Sequence, residues 1–427
     1  MTEDFLYYIW QQRLFFQEDI RTADGEQVSV VRTGIRNSHA GPDFTDAHIK
    51  IGDTLWVGCV EIHLRSSDWE KHGHHTDAAY NNVILHVVYQ HDADAYNAFR
   101  MKIPVMTLHF DSRYYENYLS LTDSKDDIAC RNKVGLIDAF SRMNWTERLA
   151  VERLEQKSNA ILQTYRATGH DWAETFYRQL ARSFGFSLNA LPFESLAKSL
   201  PLHILLKHRD RLYQLEALLF GQAGMLNDEI PDSEYHASLR REYLFLRQKY
   251  QLTPIEPFLW KFLRLRPVNF PTVRIAQFAA LTHRNEHLFS RIIYSGDIRT
   301  LEQAFKPEVS PFWENHYVFG KTSEKRKKTF GKTAFLSVMI NTVVPLLFVY
   351  GKERGGEKEY MQAIELLEQL PAEKNSILSQ WESLGFDNRN AFTSQALLHL
   401  KNEYCNVRRC LHCAFGNAIV GKNLPAK

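Results

Sequence analysis

A chain of 427 residues, 44% apolar and 24% charged, has room for two or three domains with full cores and the composition of an ordinary globular protein. Its formal net charge of +2 excludes an overall electrostatic draw towards nucleic acid or acidic partners, so any basic surface must be local. Five cysteines in so long a chain exclude a disulfide framework, and the opening Met-Thr-Glu-Asp-Phe lacks the basic-then-apolar order of a secretory signal, so a cytoplasmic location is expected.

In chain order, residues 3–19 place Phe5, Ile9, Leu14 and Phe16 among polar residues and predict an amphipathic helix. Asp24-Gly25 marks a turn, and Val28–Thr33 reads as a strand. Phe44–Ile51 and Thr54–Leu64 read as two strands joined at Gly52-Asp53. A polar stretch with a short helical crossover follows, then the nearly all-apolar strand Val83–Tyr89, suited to burial on both faces, then Pro104–Phe110. The order predicts an α+β fold: an N-terminal mixed β-sheet with flanking helices, then a large all-α region.

Beyond Leu136 helical spacing takes over, in Trp145–Thr164, Trp172–Phe184, Leu212–Gly221, Ser233–Tyr250, Pro271–Ser290, Glu359–Leu370 and Glu373–Leu384. The expected organisation is an α/β domain over 1–125 and a helical domain over 126–427 that carries a C-terminal cysteine cluster. Thr333–Tyr350 is free of charge for 18 residues, the length of a marginal membrane span. Ser337, Asn341, Thr342 and Pro345 interrupt it, so a buried helix is the better reading and no membrane is expected.

The chemistry concentrates between Gly41 and Val88. Asp43 lies at the mouth of one strand and Glu61 near the end of the next, and alternation puts Val57, Cys59, Glu61 and His63 on one face. Two carboxylates and the Ile62 carbonyl are enough protein ligands for Mg²⁺ or Mn²⁺. Such an ion activates water and neutralises charge in a phosphodiester displacement, and a basic group at position 63 would hold the water or the phosphate.

Gly41-Pro42-Asp43, followed 18 positions later by Glu61-Ile62-His63, resembles the signature of the PD-(D/E)XK nuclease superfamily. The order of elements over residues 5–110 is similar to that superfamily's core. The resemblance implies a metal-dependent nuclease acting on DNA or RNA, with Asp43, Glu61 and the Ile62 carbonyl as metal ligands. The lysine of that motif is His63 here, and Arg65 and Lys71 are candidates for the missing charge. An inactive nuclease-like module that binds nucleic acid or protein is therefore the alternative. Over nearly its whole length the chain also resembles a bacterial family of unknown function. That likeness rests on Gly41-Pro42-Asp43-Phe44, Val60-Glu61-Ile62-His63, Ser67-Asp68-Trp69, Val83–Val88 and Tyr404-Cys405 to Cys413.

Three further groups stand out. His63, His72, His74, His75 and His86 lie close together with Asp68 and Asp77, a mixture that suits Zn²⁺ or Mn²⁺ and gives a third reading, a zinc hydrolase. His74 and His75 are neighbours and cannot point the same way; polar turn residues are the plainer alternative. Cys405-x4-Cys410-x2-Cys413 has metal-ligand spacing for zinc or an iron–sulfur cluster, with Cys130 or His412 as the fourth ligand. In count it is similar to the 4Fe–4S staple of some helicase-associated nucleases; helix-packed thiols are the alternative. Lys321–Lys332 holds six basic residues and one acid, and Lys325, Arg326, Lys327 and Lys328 at its centre suit phosphate contacts or a solvated loop.

Overall fold

The computed structural model describes residues 1–227, 230, 233–295 and 297–421. The chain divides into two compact units, Met1–Trp145 with His399–Lys427, and Thr146–Leu398. Against the expected boundary at 125/126, the first unit runs on to Trp145 and takes in the C-terminal cysteine segment.

Helix α1 (Glu3–Gln11) buries Phe5, Leu6, Ile9 and Trp10. It stops well short of the expected residue 19, because Arg13 takes a left-handed conformation (φ 53°) that an α-helix cannot continue. Phe15 then bridges to Phe110, so the apolar periodicity of residues 14–16 belongs to a returning extended segment. The sheet comprises β1 (Val28–Arg32), β2 (Ile35–Arg36), β3 (Phe44–Ile51), β4 (Thr54–Arg65), β5 (Val83–Gln90) and β6 (Val105–Thr107). The spatial order is β1-β3-β4-β5-β6, with β2 also paired to β3. β1, β3 and β4 form an antiparallel meander, and β5 and β6 continue parallel to β4. The expected mixed sheet with flanking helices is thus the observed one. β5 is buried from Leu85 to Val88, His86 included, because it is flanked by strands on both edges and covered on both faces.

The β3/β4 register slips between Phe44 and Ala47, where Asp46 adopts φ 55°. The bulge bends β3 under Gly34, where a Cβ would stand 2.7 Å from the Thr45 carbonyl oxygen. The parallel crossover from β4 to β5 passes through helix α2 (Asp68–Lys71). Trp69 anchors it: the ring is fully buried with Cys59, Val83 and Val88, and its indole N–H donates to Tyr96 O at 2.9 Å.

Among its described residues the second unit is helical apart from the short antiparallel pair His316–Val318 and Lys321–Thr322 and one bridge between Pro371 and Asn390. Trp172–Phe184 forms as expected. Pro271–Ser290 is two helices, Pro271–Arg284 and Leu288–Ser295. Asn285 ends the first in an extended conformation, its side chain donating to the Leu281 and Ala304 carbonyls. The uncharged stretch lies in a continuous helical run, Lys332–Arg354, whose most apolar 18-residue window has mean hydropathy 1.9 and is 83% buried inside the protein. A π-helical turn, Met339–Val343, precedes Pro345 in that run. Proline has no N–H to offer the Ile340 carbonyl five residues back, and the Lys157 ammonium donates to that oxygen instead, at 3.2 Å.

Candidate metal centre

Asp43 and Glu61 are brought together by the antiparallel β3/β4 pair, in which Phe44 faces Val60. The two residues hold each other crosswise. The Asp43 backbone N–H donates to Glu61 Oε2 at 2.9 Å, and the Ile62 N–H donates to Asp43 Oδ2 at 3.0 Å. Ile62 itself sits in mid-ladder opposite Val87, fully buried. The other oxygen of Glu61 turns towards imidazoles: Oε1 lies 3.5 Å from His63 Nε2 and 3.3 Å from His74 Nε2.

The crossover delivers the remaining ring nitrogens. Gly73, at φ 78°, reverses the chain after α2, so that His72 and His74 flank the end of β4. His72 Nδ1 is 3.1 Å from His63 Nε2, and the His63 and His74 rings stack at 5.3 Å. His74 is wedged on its other side against Tyr80, centroid to centroid 3.7 Å. One ligand atom from each of His63, His72 and His74 lies within 4.8 Å of the others. In a tetrahedral zinc site, nitrogens about 2.0 Å from the ion stand roughly 3.3 Å apart. His74 Nε2 is buried and forms no hydrogen bond, although Glu61 Oε1 is beside it. Two polar atoms packed so closely without bonding are what a shared cation would reconcile. His63 is fixed from behind by His86, with His63 Nδ1 and His86 Nε2 2.9 Å apart on the same sheet face. His75 points into solvent and stands outside the group.

Burial sets the protonation of His63 and His86. Desolvation, with His72 and His74 adding repulsion, holds His63 down to about 3, so its ring is neutral at physiological pH. Burial pushes His86 the same way, well below the ordinary imidazole range. Neutral imidazole is the form that ligates metals. Burial, together with the neighbouring Glu61 charge, pushes the Asp43 carboxyl up to about 7 against the opposing pull of the Ile62 N–H, the Tyr7 hydroxyl and Arg36.

The other expected site residues fall differently. Arg65 is exposed at the end of β4, its N–H donating to Asp68 Oδ2, and Lys71 is paired with Asp68 at 2.6 Å. Neither joins the cluster. A cation does stand beside Asp43, but it comes from β2: Arg36 lies 3.5 Å over the Tyr7 ring, and its Nη1 is buried without a hydrogen-bond partner. No spacing in the sequence connects Tyr7 or Arg36 with the Asp43 motif, since the antiparallel return of β2 on β3 makes that contact. In the second unit, Lys328 is buried, its Nζ donating to Glu314 O and lying 3.7 Å over the Tyr317 ring. Lys325 pairs with Glu314 and Arg326 with Glu324, and both, like Lys327, are exposed. Cys130, Cys405, Cys410 and Cys413 line one cavity, while His412 is outside it.

The fold and site define an α+β protein with a mixed sheet whose central strands and crossover gather a histidine–carboxylate cluster. The chain belongs to the protein family of unknown function DUF2851, whose model matches residues 3–376 and stops ahead of Cys405–Cys413. No curated protein matches the chain, and no solved structure does.

Proposed function

We propose that this protein is a metal-dependent phosphodiesterase, with nucleic acid as its substrate class, whose ion is held by His63, His72, His74 and Glu61. The observation that carries the reading is the meeting of three imidazoles with the Glu61 carboxylate at metal-ligand separations. Three imidazoles and one carboxylate favour Zn²⁺ or Mn²⁺ over Mg²⁺, which prefers oxygen ligands and retained waters. His72 is the exposed member of the set, so an ion held by these residues would be reached by solvent from that side, where a water or a phosphate oxygen could join it. A divalent ion there lowers the pKa of bound water and neutralises developing charge. Asp43 acts as a positioning residue: its backbone N–H orients Glu61, and its carboxylate locks the Ile62 backbone. Arg36, with Nη1 unpaired, supplies the permanent charge for a phosphate that the motif's missing lysine would otherwise give. The antiparallel meander followed by a parallel crossover strand, with Asp43 and Glu61 side by side, supports the nuclease form of the reading.

The test is cleavage of single-stranded, duplex and structured DNA and RNA with Zn²⁺, Mn²⁺ or Mg²⁺, comparing the wild type with His72→Ala and Asp43→Asn. His72→Ala should remove cleavage, and Asp43→Asn should lower it. Undiminished cleavage by His72→Ala would end the proposal. A second reading, an inactive module that binds nucleic acid or protein, is favoured by the internal engagement of Asp43 with Ile62 and Tyr7. It becomes the conclusion if the wild type binds the ion yet cleaves nothing.

A further inference from the structure

The C-terminal cysteines form a second constellation, built from residues that do not overlap the histidine cluster. Cys130 arrives from the segment after the α/β core, and Cys405, Cys410 and Cys413 from the end of the chain; all four, with Leu121, Ala129, Tyr404 and Gly416, line one small cavity of the first unit. None is in a disulfide.

The cavity has dedicated supports. The Arg408 guanidinium donates through Nη2 to the carbonyls of Ser124 and Asp126, each at 2.8 Å, and Lys401 Nζ donates to Asp127 O at 2.9 Å. These two cations strap the loop ahead of Cys130 to the C-terminal segment. At Gly416 a Cβ would stand 2.0 Å from the Cys410 carbonyl oxygen, so the backbone closes on the cysteine loop at a distance that only glycine permits. The N–H groups of Phe415 and Gly416 are directed at the Cys413 sulfur. Arg409 lines the same cavity and offsets negative charge there.

The spacing of the sulfurs distinguishes the occupant. Thiolates about 2.3 Å from one tetrahedral zinc ion stand roughly 3.8 Å apart. Among the described residues, the group of three or more potential ligand atoms lying mutually within 4.8 Å is the histidine one, and no three of the cysteine sulfurs come that close. Four thiols that face one cavity without meeting at a point suit an occupant that spreads its ligands over several metal atoms. We infer that Cys130, Cys405, Cys410 and Cys413 hold an iron–sulfur cluster. Transfer of a preassembled cluster from a thiol-bearing donor breaks four iron–thiolate bonds to the donor and forms four to these cysteines; each cysteine thiol gives up its proton, each departing donor thiolate takes one up, and no oxidation state changes.

The experiment uses the full chain, purified without oxygen, and measures iron, zinc and acid-labile sulfide together with visible absorption. The wild type should carry about two to four iron atoms per chain with matching sulfide. Cys130→Ser and Cys410→Ser should lose sulfide and visible absorption at least tenfold, whereas His72→Ala should keep both. Because a cysteine variant could misfold, far-ultraviolet circular dichroism accompanies each. The wild-type measurement also decides by itself. One zinc per chain without sulfide, no cluster after reconstitution with ferrous iron and sulfide, or unchanged sulfide in a folded Cys130→Ser would each overturn the inference.

Discussion

At the scale of single residues, the cluster around Glu61 separates ligands from supports. His72 is exposed, so its removal costs the apo fold little, within about 0.5 kcal/mol. His72→Ala should weaken Zn²⁺ or Mn²⁺ binding by on the order of a hundredfold in calorimetric titration, with the midpoint of metal-free unfolding unmoved. Equal affinity in the two proteins would show that the imidazoles do not share an ion. Asp43→Asn keeps the shape but weakens the grip on the Ile62 N–H; a loss of about tenfold in metal affinity is expected, as for other groups that orient ligands. His63→Lys is a sharper case. The motif resemblance implies that lysine suits this position. In the folded protein the side chain is 2% exposed and sits against His86, so an ammonium there would be a buried charge among imidazoles. Loss of ion binding and a destabilisation of several kcal/mol are expected; retained cleavage by the lysine variant would restore the motif's original arrangement.

At the scale of elements, close approach is what the helical unit is built on. The helices Leu212–Gln222 and Glu234–Tyr250 meet where Gly221 leaves room for the Tyr243 ring: a Cβ on Gly221 would lie 2.0 Å from the ring carbon Cγ. The Tyr243 hydroxyl then donates to Gln222 Oε1 at 3.0 Å, which closes the contact with a buried bond. Gly221→Ala gains helix propensity but must push the helices apart, and a net loss of roughly 2 kcal/mol is expected in urea denaturation. An unchanged denaturation midpoint would mean that the ring can swing away. Strands and turns were the elements most legible in the sequence. Ala47–Ile51 alternates up to the turn at Gly52-Asp53, and period two with a turn residue at the end leaves little freedom. The N-terminal helix was less legible, because Leu14 and Phe16 keep a helical spacing with α1 although the left-handed Arg13 has already broken the helix.

At the scale of the whole molecule, a buried carboxyl in the second unit makes stability pH-dependent. Glu216 is fully buried; desolvation pushes it up to about 7, outweighing the donors Tyr235, Ser310 and Trp313. Its folded value exceeds its unfolded one, so the folded protein binds the extra proton between about pH 4.5 and 7. Stability from this group is fully present below pH 4.5 and is lost as pH rises through 7. The loss is on the order of 3 kcal/mol by pH 8, and Glu216→Gln should flatten that slope when unfolding free energies are compared at pH 5 and pH 8. Parallel slopes in the two proteins would assign the dependence elsewhere.

The sequence by itself determined the mixed sheet followed by helices, because alternation, turn residues and helical spacing are local patterns that local sterics read directly. It also placed Asp43, Glu61 and His63 at the ends of adjacent strands, since strand order follows from short connections. Tertiary structure alone decided which side chains meet. The turn at Gly73 carries His72 and His74 back over β4, β2 brings Arg36 to Asp43, and the returning C-terminal segment sets Cys405, Cys410 and Cys413 around Cys130. Such meetings join residues far apart in the chain, and they depend on how burial and backbone reversal orient each ring, sulfur and carboxylate, which no spacing along the sequence encodes.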